Sequence, residues 1–271
     1  MNRMNRTNRM NRMNRRKFLA GAAAGAALAG PAGTPAQEKE KPLVYFEFRF
    51  FRLRQGEQVA RFNKASAQIM ALVEKHKLSP VGFFDTVIGS DSPSLVELLQ
   101  WTSLAQREEA SKEIFSDPDY RRIMTDLEPG TEPAFQKIDI FVARATPYSP
   151  VLSPSPAGQQ PRLFELRVYR SPTFRQLEAL HERFGGAEIK IFHRCGIHPV
   201  LYGSTTIGPD MPNLVYLTPF DSLAEREKAW AAFGADPEWR KVRAASIAKS
   251  GQIVGNSSIT ILRARPNSHI R

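Results

Sequence analysis

Glutamate and arginine stand two residues apart at Glu47 and Arg49, and the same pair recurs at Glu165 and Arg167. Both pairs sit in alternating apolar stretches, so the two charges of each pair share one face of a strand. Charges withdrawn from water are costly unless they are paired. If the Phe46/Phe48 and Phe164/Leu166 faces meet helices, these charges point into the space between two sheets. The reading the pattern favours is an ion-pair network that fixes how the sheets dock. The other is a polar ligand pocket in that space, lined by Tyr45, Glu47, Arg49, Glu165, Arg167 and Tyr169.

A second cluster joins His181, His193 and His198 to the single cysteine, Cys195. Imidazole and thiolate suit zinc or haem iron. Yet His193 and His198 straddle an expected helix–strand junction, at a spacing that matches no regular metal motif. Cys195 reads as a small buried hydrophobe, and His76 and His269 read as surface residues. His193, His198 and Cys195 are therefore weak metal candidates; no cofactor is expected, and haem is the alternative. One cysteine also excludes an intrachain disulfide. There is no Gly-x-Ser-x-Gly, no phosphate loop and no dinucleotide fingerprint, and His181-Glu182 lacks the second histidine of a zinc protease. A non-enzymatic role is favoured, although a site assembled from scattered strand residues would leave no motif.

The elements that must position these residues come in duplicate. Trp101-Thr102-Ser103-Leu104-Ala105-Gln106-Arg107-Glu108 recurs about 119 places later as Phe220-Asp221-Ser222-Leu223-Ala224-Glu225-Arg226-Glu227. Asp117-Pro118-Asp119-Tyr120 likewise returns as Asp236-Pro237-Glu238-Trp239. Residues 43–145 and 162–264 are thus two copies of one domain, joined by a linker, 146–161, that holds five prolines and reads as extended. In the first copy, a strand over Leu43–Leu53 precedes an amphipathic helix ending near Lys77. Strands over Pro80–Ile88 and Leu95–Trp101 follow, then a helix capped by Ser103 and restarted at Asp117-Pro118, and a closing strand over Phe135–Ala143. The order is β-α-β-β-α-β. The second copy repeats it, with Gly185-Gly186 expected to interrupt its first helix.

Of the net charge of +11, seven basic residues lie in the first 36 positions, which leaves +4 for the rest. No residual basic cluster is interleaved with stacking aromatics, so nucleic acid is not an expected partner. Those 36 residues read as an address. Five x-Asn-Arg triplets lead into Arg15-Arg16-Lys17-Phe18-Leu19, an apolar run to Ala29 and the small residues Thr34-Pro35-Ala36. This is the pattern of a secretory signal of the twin-arginine class, with cleavage after Ala36. The expected partner is the twin-arginine export machinery, and the expected location is periplasmic or extracellular, membrane-anchored if the signal stays uncleaved. Met4, Met10 and Met13 are alternative starts.

The openings Phe46-Glu47-Phe48-Arg49 and Phe164-Glu165-Leu166-Arg167, the Arg194-Cys195-Gly196-Ile197 stretch, the Ser-Leu-Ala-x-Arg-Glu helix start and the Asp-Pro restart together resemble the NIPSNAP family. The family commonly has histidine where this chain has Cys195. The resemblance implies ferredoxin-like domains of the dimeric α+β barrel type, with two sheets pairing face to face. Two tandem copies are then expected to pair within one chain, with homo-oligomers open. Three functions follow: a small-molecule-binding module using the inter-sheet cavity, an oxidoreductase or monooxygenase of the barrel type with or without haem, and a structural or interaction module.

Overall fold

The alternating aromatics of the first copy form strand β1 (Tyr45–Arg52) in the computed structural model, which describes residues 43–271. The expected signal and its cleavage point lie outside the described residues. At Gly56, a φ of +87° turns the chain out of β1 and into helix α1 (Glu57–Lys75) without strain on a side chain. β2 (Gly82–Ile88), β3 (Ser94–Trp101), α2 (Leu104–Ser116), α3 (Pro118–Leu127) and β4 (Lys137–Ala145) complete the first repeat. The second contains β5 (Leu163–Arg170), α4 (Phe174–Arg183), α5 (Ile189–Arg194), β6 (Leu201–Ile207), β7 (Asn213–Phe220), α6 (Leu223–Ala235), α7 (Pro237–Ser250) and β8 (Asn256–Ala264).

The helix starts obey the same rules in both repeats. Ser103 Oγ accepts from the Gln106 N–H at 3.0 Å, and Ser222 Oγ accepts from the Glu225 N–H at 3.1 Å. Asp117 and Asp236 cap α3 and α7, each with proline in the first turn. Gly185-Gly186 does not break its helix. The residues Phe184–Glu188 form one π-helical turn, and the helix runs on into α5.

Each repeat makes an antiparallel sheet in the order β4-β1-β3-β2 or β8-β5-β7-β6. Two seams, β2 with β8 and β4 with β6, join the sheets edge to edge into a closed barrel of eight strands, β1-β3-β2-β8-β5-β7-β6-β4. Closure leaves no open sheet edge to template aggregation. Both seams carry a register shift, between Thr86 and Ile88 and between Val142 and Ala143, as strands at a bend commonly do. At the second seam Gly203 has to be small: a Cβ there would lie 3.0 Å from Ala143 Cβ and 3.2 Å from the Arg144 carbonyl oxygen.

Three hydrophobic cores result. One fills the barrel with Phe46, Phe48, Phe84, Val96, Phe164, Leu166, Leu217 and Leu262. Rings line the interior, with Phe48 stacked on its cross-strand partner Phe141 at 4.8 Å and Phe84 edge-on to Phe164, one strand further along, at 5.1 Å. The other two cores lie between the outer face of each half-sheet and its own helices. Residues 146–161 are more than a spacer, because Leu152 packs into the barrel core beside Ile270. The Ser155 N–H also donates to the His269 carbonyl at 2.7 Å. Among the described residues no helix is long and apolar enough to cross a membrane.

Candidate functional site

Which face of β1 and β5 points inward decides where the charges go. The expectation that the Phe46/Phe48 and Phe164/Leu166 faces meet helices is reversed: those faces line the barrel. A barrel interior closed to water takes the wholly apolar face, and the mixed face goes outward beneath the helices. The expected polar pocket between the sheets is therefore replaced by packed phenyl and aliphatic groups. Tyr45, Glu47 and Arg49 lie under the first repeat's helices, and Glu165, Arg167 and Tyr169 under the second's. Since β1 and β5 are diametrically opposed in the ring, the structure does not bring the two sets together.

Within each repeat the glutamate ties helix to sheet. Glu47 is fully buried and accepts from Arg49 Nε at 2.9 Å, from Arg107 Nε and Nη2 at 2.8 Å each, and from Trp101 Nε1 at 2.8 Å. Burial alone would raise its pKa, but the guanidiniums of Arg107 and Arg49 hold it below the usual carboxylate range. Glu165 repeats this with Arg167, Arg226 and Trp230, whose indole N–H donates at 3.1 Å. Arg107 and Arg226 are the arginines of the duplicated Ser-Leu-Ala-x-Arg-Glu phrase. They escape a reading confined to strands, although the duplication itself was the signal. The network docks α2 and α6 onto their own sheets, not one sheet onto the other.

Beside the first glutamate the structure opens. A cavity of about 440 Å³ lies between the half-sheet and α1, α2 and α3, walled by groups such as Phe62, Leu72, Ile114, Ile123 and Met124. Arg49, Glu97, Arg107, Glu108 and Ser111 form its polar part. Arg49 Nη1 donates to Glu97 Oε2 at 3.2 Å. Burial pushes the Glu97 carboxyl up, with the nearby Glu47 charge adding to it against the pull of Arg49.

The matching space in the second repeat is filled. α2 and α6 are both 13 residues long, and their alignment sets Ser111 against Trp230 and Ile114 against Phe233; β3 and β7 likewise set Glu97 against Tyr216. The Trp230 ring lies 3.6 Å under the Arg167 guanidinium, and Phe192 packs edge-on against Trp230 and Phe233 at 5.5 and 4.8 Å. Larger side chains at these three positions, Trp230 foremost, separate the occupied repeat from the open one.

The second repeat has a smaller cavity elsewhere, about 210 Å³, between β5, the π turn and α7, lined in part by Tyr169, Arg183, Glu188, Trp239 and Arg243. Glu188 is buried and accepts from Arg183 Nε at 2.7 Å. Burial raises its pKa to about 7, only partly offset by Arg183. An acid whose folded pKa exceeds its unfolded one binds more protons when folded, so stability falls as pH rises from about 4.5 towards about 7. Glu188→Gln is expected to flatten that fall. Its Tm difference between pH 5 and pH 8 should shrink by about 5 °C, at roughly 2–4 °C per kcal/mol for a chain of this size. Calorimetric melts of both proteins at the two pH values decide this, and an unchanged difference would refute it.

Two of the histidines pair, and the others find partners elsewhere. His193 and His198 are exposed and stack ring on ring at 5.1 Å. Cys195 is half-buried, and burial raises its thiol pKa. His181 is held between Tyr148 Oη at 2.7 Å and Ser204 Oγ at 2.8 Å. His76, expected at the surface, is mostly covered, with Nε2 2.7 Å from Asp117 Oδ2, because the end of α1 abuts the α3 cap. His269 is also no free surface group, since its Nδ1 accepts from the Val81 N–H at 3.2 Å. Among the described residues no three His, Cys, Asp or Glu side chains gather as a metal site. Haem does not fit the barrel: Phe46, Phe48, Phe84 and Phe164 occupy its interior, and none of these histidines belongs to that core.

The NIPSNAP family model matches the chain twice, over residues 46–150 and 164–269. No curated protein matches it. Among solved structures, a candidate monooxygenase from Lactobacillus acidophilus is 8% identical with a TM-score of 0.52, covering 81% of this chain and 93% of that one. Another, from Fusobacterium nucleatum, is 7% identical with a TM-score of 0.52, covering 82% and 92%. An uncharacterized NIPSNAP domain protein from Burkholderia xenovorans is 16% identical over 36% of this chain and 90% of that one, with a TM-score of 0.32. At such identities the two monooxygenase likenesses extend to the fold alone. With both repeats matched by the family model, the chain belongs to the NIPSNAP family.

Proposed function

We propose that this chain is a small-molecule-binding module whose ligand occupies the first repeat's cavity. The observation that carries the reading is the asymmetry between repeats: the space is open beside Ser111 and closed beside Trp230. An apolar wall with a few convergent polar groups is the usual make-up of a ligand site. The four charged groups that line it, Arg49, Arg107, Glu97 and Glu108, balance, which favours an uncharged head group. The ligand class is thus a mainly apolar molecule ending in a hydroxyl or carbonyl oxygen, with Arg49 donating and Glu97 as its partner. Titration with 2-naphthol, followed by NMR, tests this. Saturable shifts of the Trp101 indole N–H and of the Ile114 and Ile123 methyls, with Trp230 unmoved, are expected. Shifts that do not saturate, or that are equal in both repeats, would sink it.

We also propose that the protein works outside the cytoplasm after twin-arginine export, supported by Arg15-Arg16-Lys17-Phe18-Leu19 and the short apolar run behind it. Replacing Arg15 and Arg16 together with lysine should keep the protein in the cytoplasmic fraction; unchanged export would overturn the proposal.

A further inference from the structure

The second repeat's cavity is built differently from the first and asks for a different ligand. Its buried acid, Glu188, sits on a π turn, a feature frequently found at functional sites. The side chains of Arg183 and Glu188 are only 7% and 1% exposed. The Arg183 guanidinium lies 4.9 Å from the Trp239 ring centroid, so an aromatic wall stands beside the charge. Arg243, on α7, lines the same cavity from an exposed position, and among the described residues its guanidinium has no ion-pair partner. Two cations against one anion leave the cavity positive, while Trp239, Ile247, Ile253 and Val254 supply apolar surface.

We propose that this cavity is a second, independent ligand site, which takes a small organic carboxylate between Arg183 and Arg243 and takes up a proton on Glu188 as it does so. The carboxylate pairs with the two guanidiniums, and its apolar part lies against Trp239. An incoming negative charge disfavours the ionised form of its buried neighbour, so binding draws a proton from solution onto the Glu188 carboxyl. No covalent bond changes.

The groups around Glu188 leave it as the one that titrates near neutrality. Arg183 reaches it from α4, and Arg243 lines the cavity from α7. Tyr169 on β5, Tyr202 on β6, Tyr216 on β7 and Tyr148 from the linker lie close enough for its charge to act on them. Burial pushes all four phenols above their ordinary value, so they stay neutral. His181, bonded to Tyr148, is held below its ordinary value by burial. Among the described residues the buried Tyr202 hydroxyl has no hydrogen-bond partner.

The test is calorimetric titration of the full chain with benzoate at pH 6 and pH 8, in pairs of buffers that differ in ionisation enthalpy. Benzoate is expected to bind about tenfold more weakly at pH 8, with measurable proton uptake at pH 7. Glu188→Gln should bind equally at both pH values with no proton uptake. Arg243→Ala, an exposed change that leaves the fold intact, should weaken binding about tenfold at either pH, as losing a charge-assisted contact does. Absence of benzoate binding to the unaltered chain, pH dependence that persists in Glu188→Gln, or full affinity in Arg243→Ala would each overturn the proposal. Because Ser111 lies on α2 in the other repeat, failure here leaves the first cavity's assignment untouched.

Discussion

Replacing Glu47 with alanine is expected to cost about 3–5 kcal/mol of folding stability, the usual loss when one member of a buried ion network is removed. The reason is what remains. Arg49, Arg107 and the Trp101 indole all lose an acceptor at once, and Arg49 is left to Glu97 alone. Arg107→Ala should cost much less, because Glu47 keeps Arg49 and Trp101 and Arg107 itself is partly in water. The double variant should be less destabilised than the sum of the singles by more than about 1 kcal/mol, as expected for residues sharing one network. Urea unfolding of the three variants gives these numbers. A loss below about 1 kcal/mol for Glu47→Ala would show that the network is ornamental to stability.

The second large effect is on binding. Ser111→Trp copies into α2 the residue that fills the other repeat at Trp230. The indole has a ready seat, because Arg49 stands where Arg167 stacks on Trp230. 2-Naphthol affinity should fall at least about a hundredfold, or about 2.7 kcal/mol. Thermal stability should hold or rise, because a void is being filled. Retained affinity in a folded Ser111→Trp protein would remove the first cavity as the site.

Much of the architecture was legible in the chain. The duplicated Ser-Leu-Ala-x-Arg-Glu and Asp-Pro phrases mark matching helices, and alternation marks the strands, so the β-α-β-β-α-β order could be read from residues alone. Orientation could not. Period-two alternation separates the two faces of β1 but does not say which one turns inward, since Phe46/Phe48 and Tyr45/Phe51 are both apolar enough for a core. What decides it is the partner of Glu47, and that partner is 60 positions away on a helix. The cavities were hidden for a related reason. A void is a difference between neighbours: Ser111 means little until it is set against Trp230. Glu188 lay next to the glycines read as a break, and its burial comes from a π turn that no periodicity foretells.

The ring of eight strands is closed by one chain rather than by two. In a two-chain ring built on an isologous interface every substitution appears twice, so both outer layers must carry the same site. Fusion through residues 146–161 releases that symmetry. One half is free to drift towards an oily recess while the other acquires a charged niche, without either change being copied across. The tether also holds the halves at an effective concentration of the order of millimolar. Mutations that loosen the β2–β8 or β4–β6 seam, which would let separate subunits dissociate on dilution, are therefore survivable here, and that tolerance is the raw material for divergence.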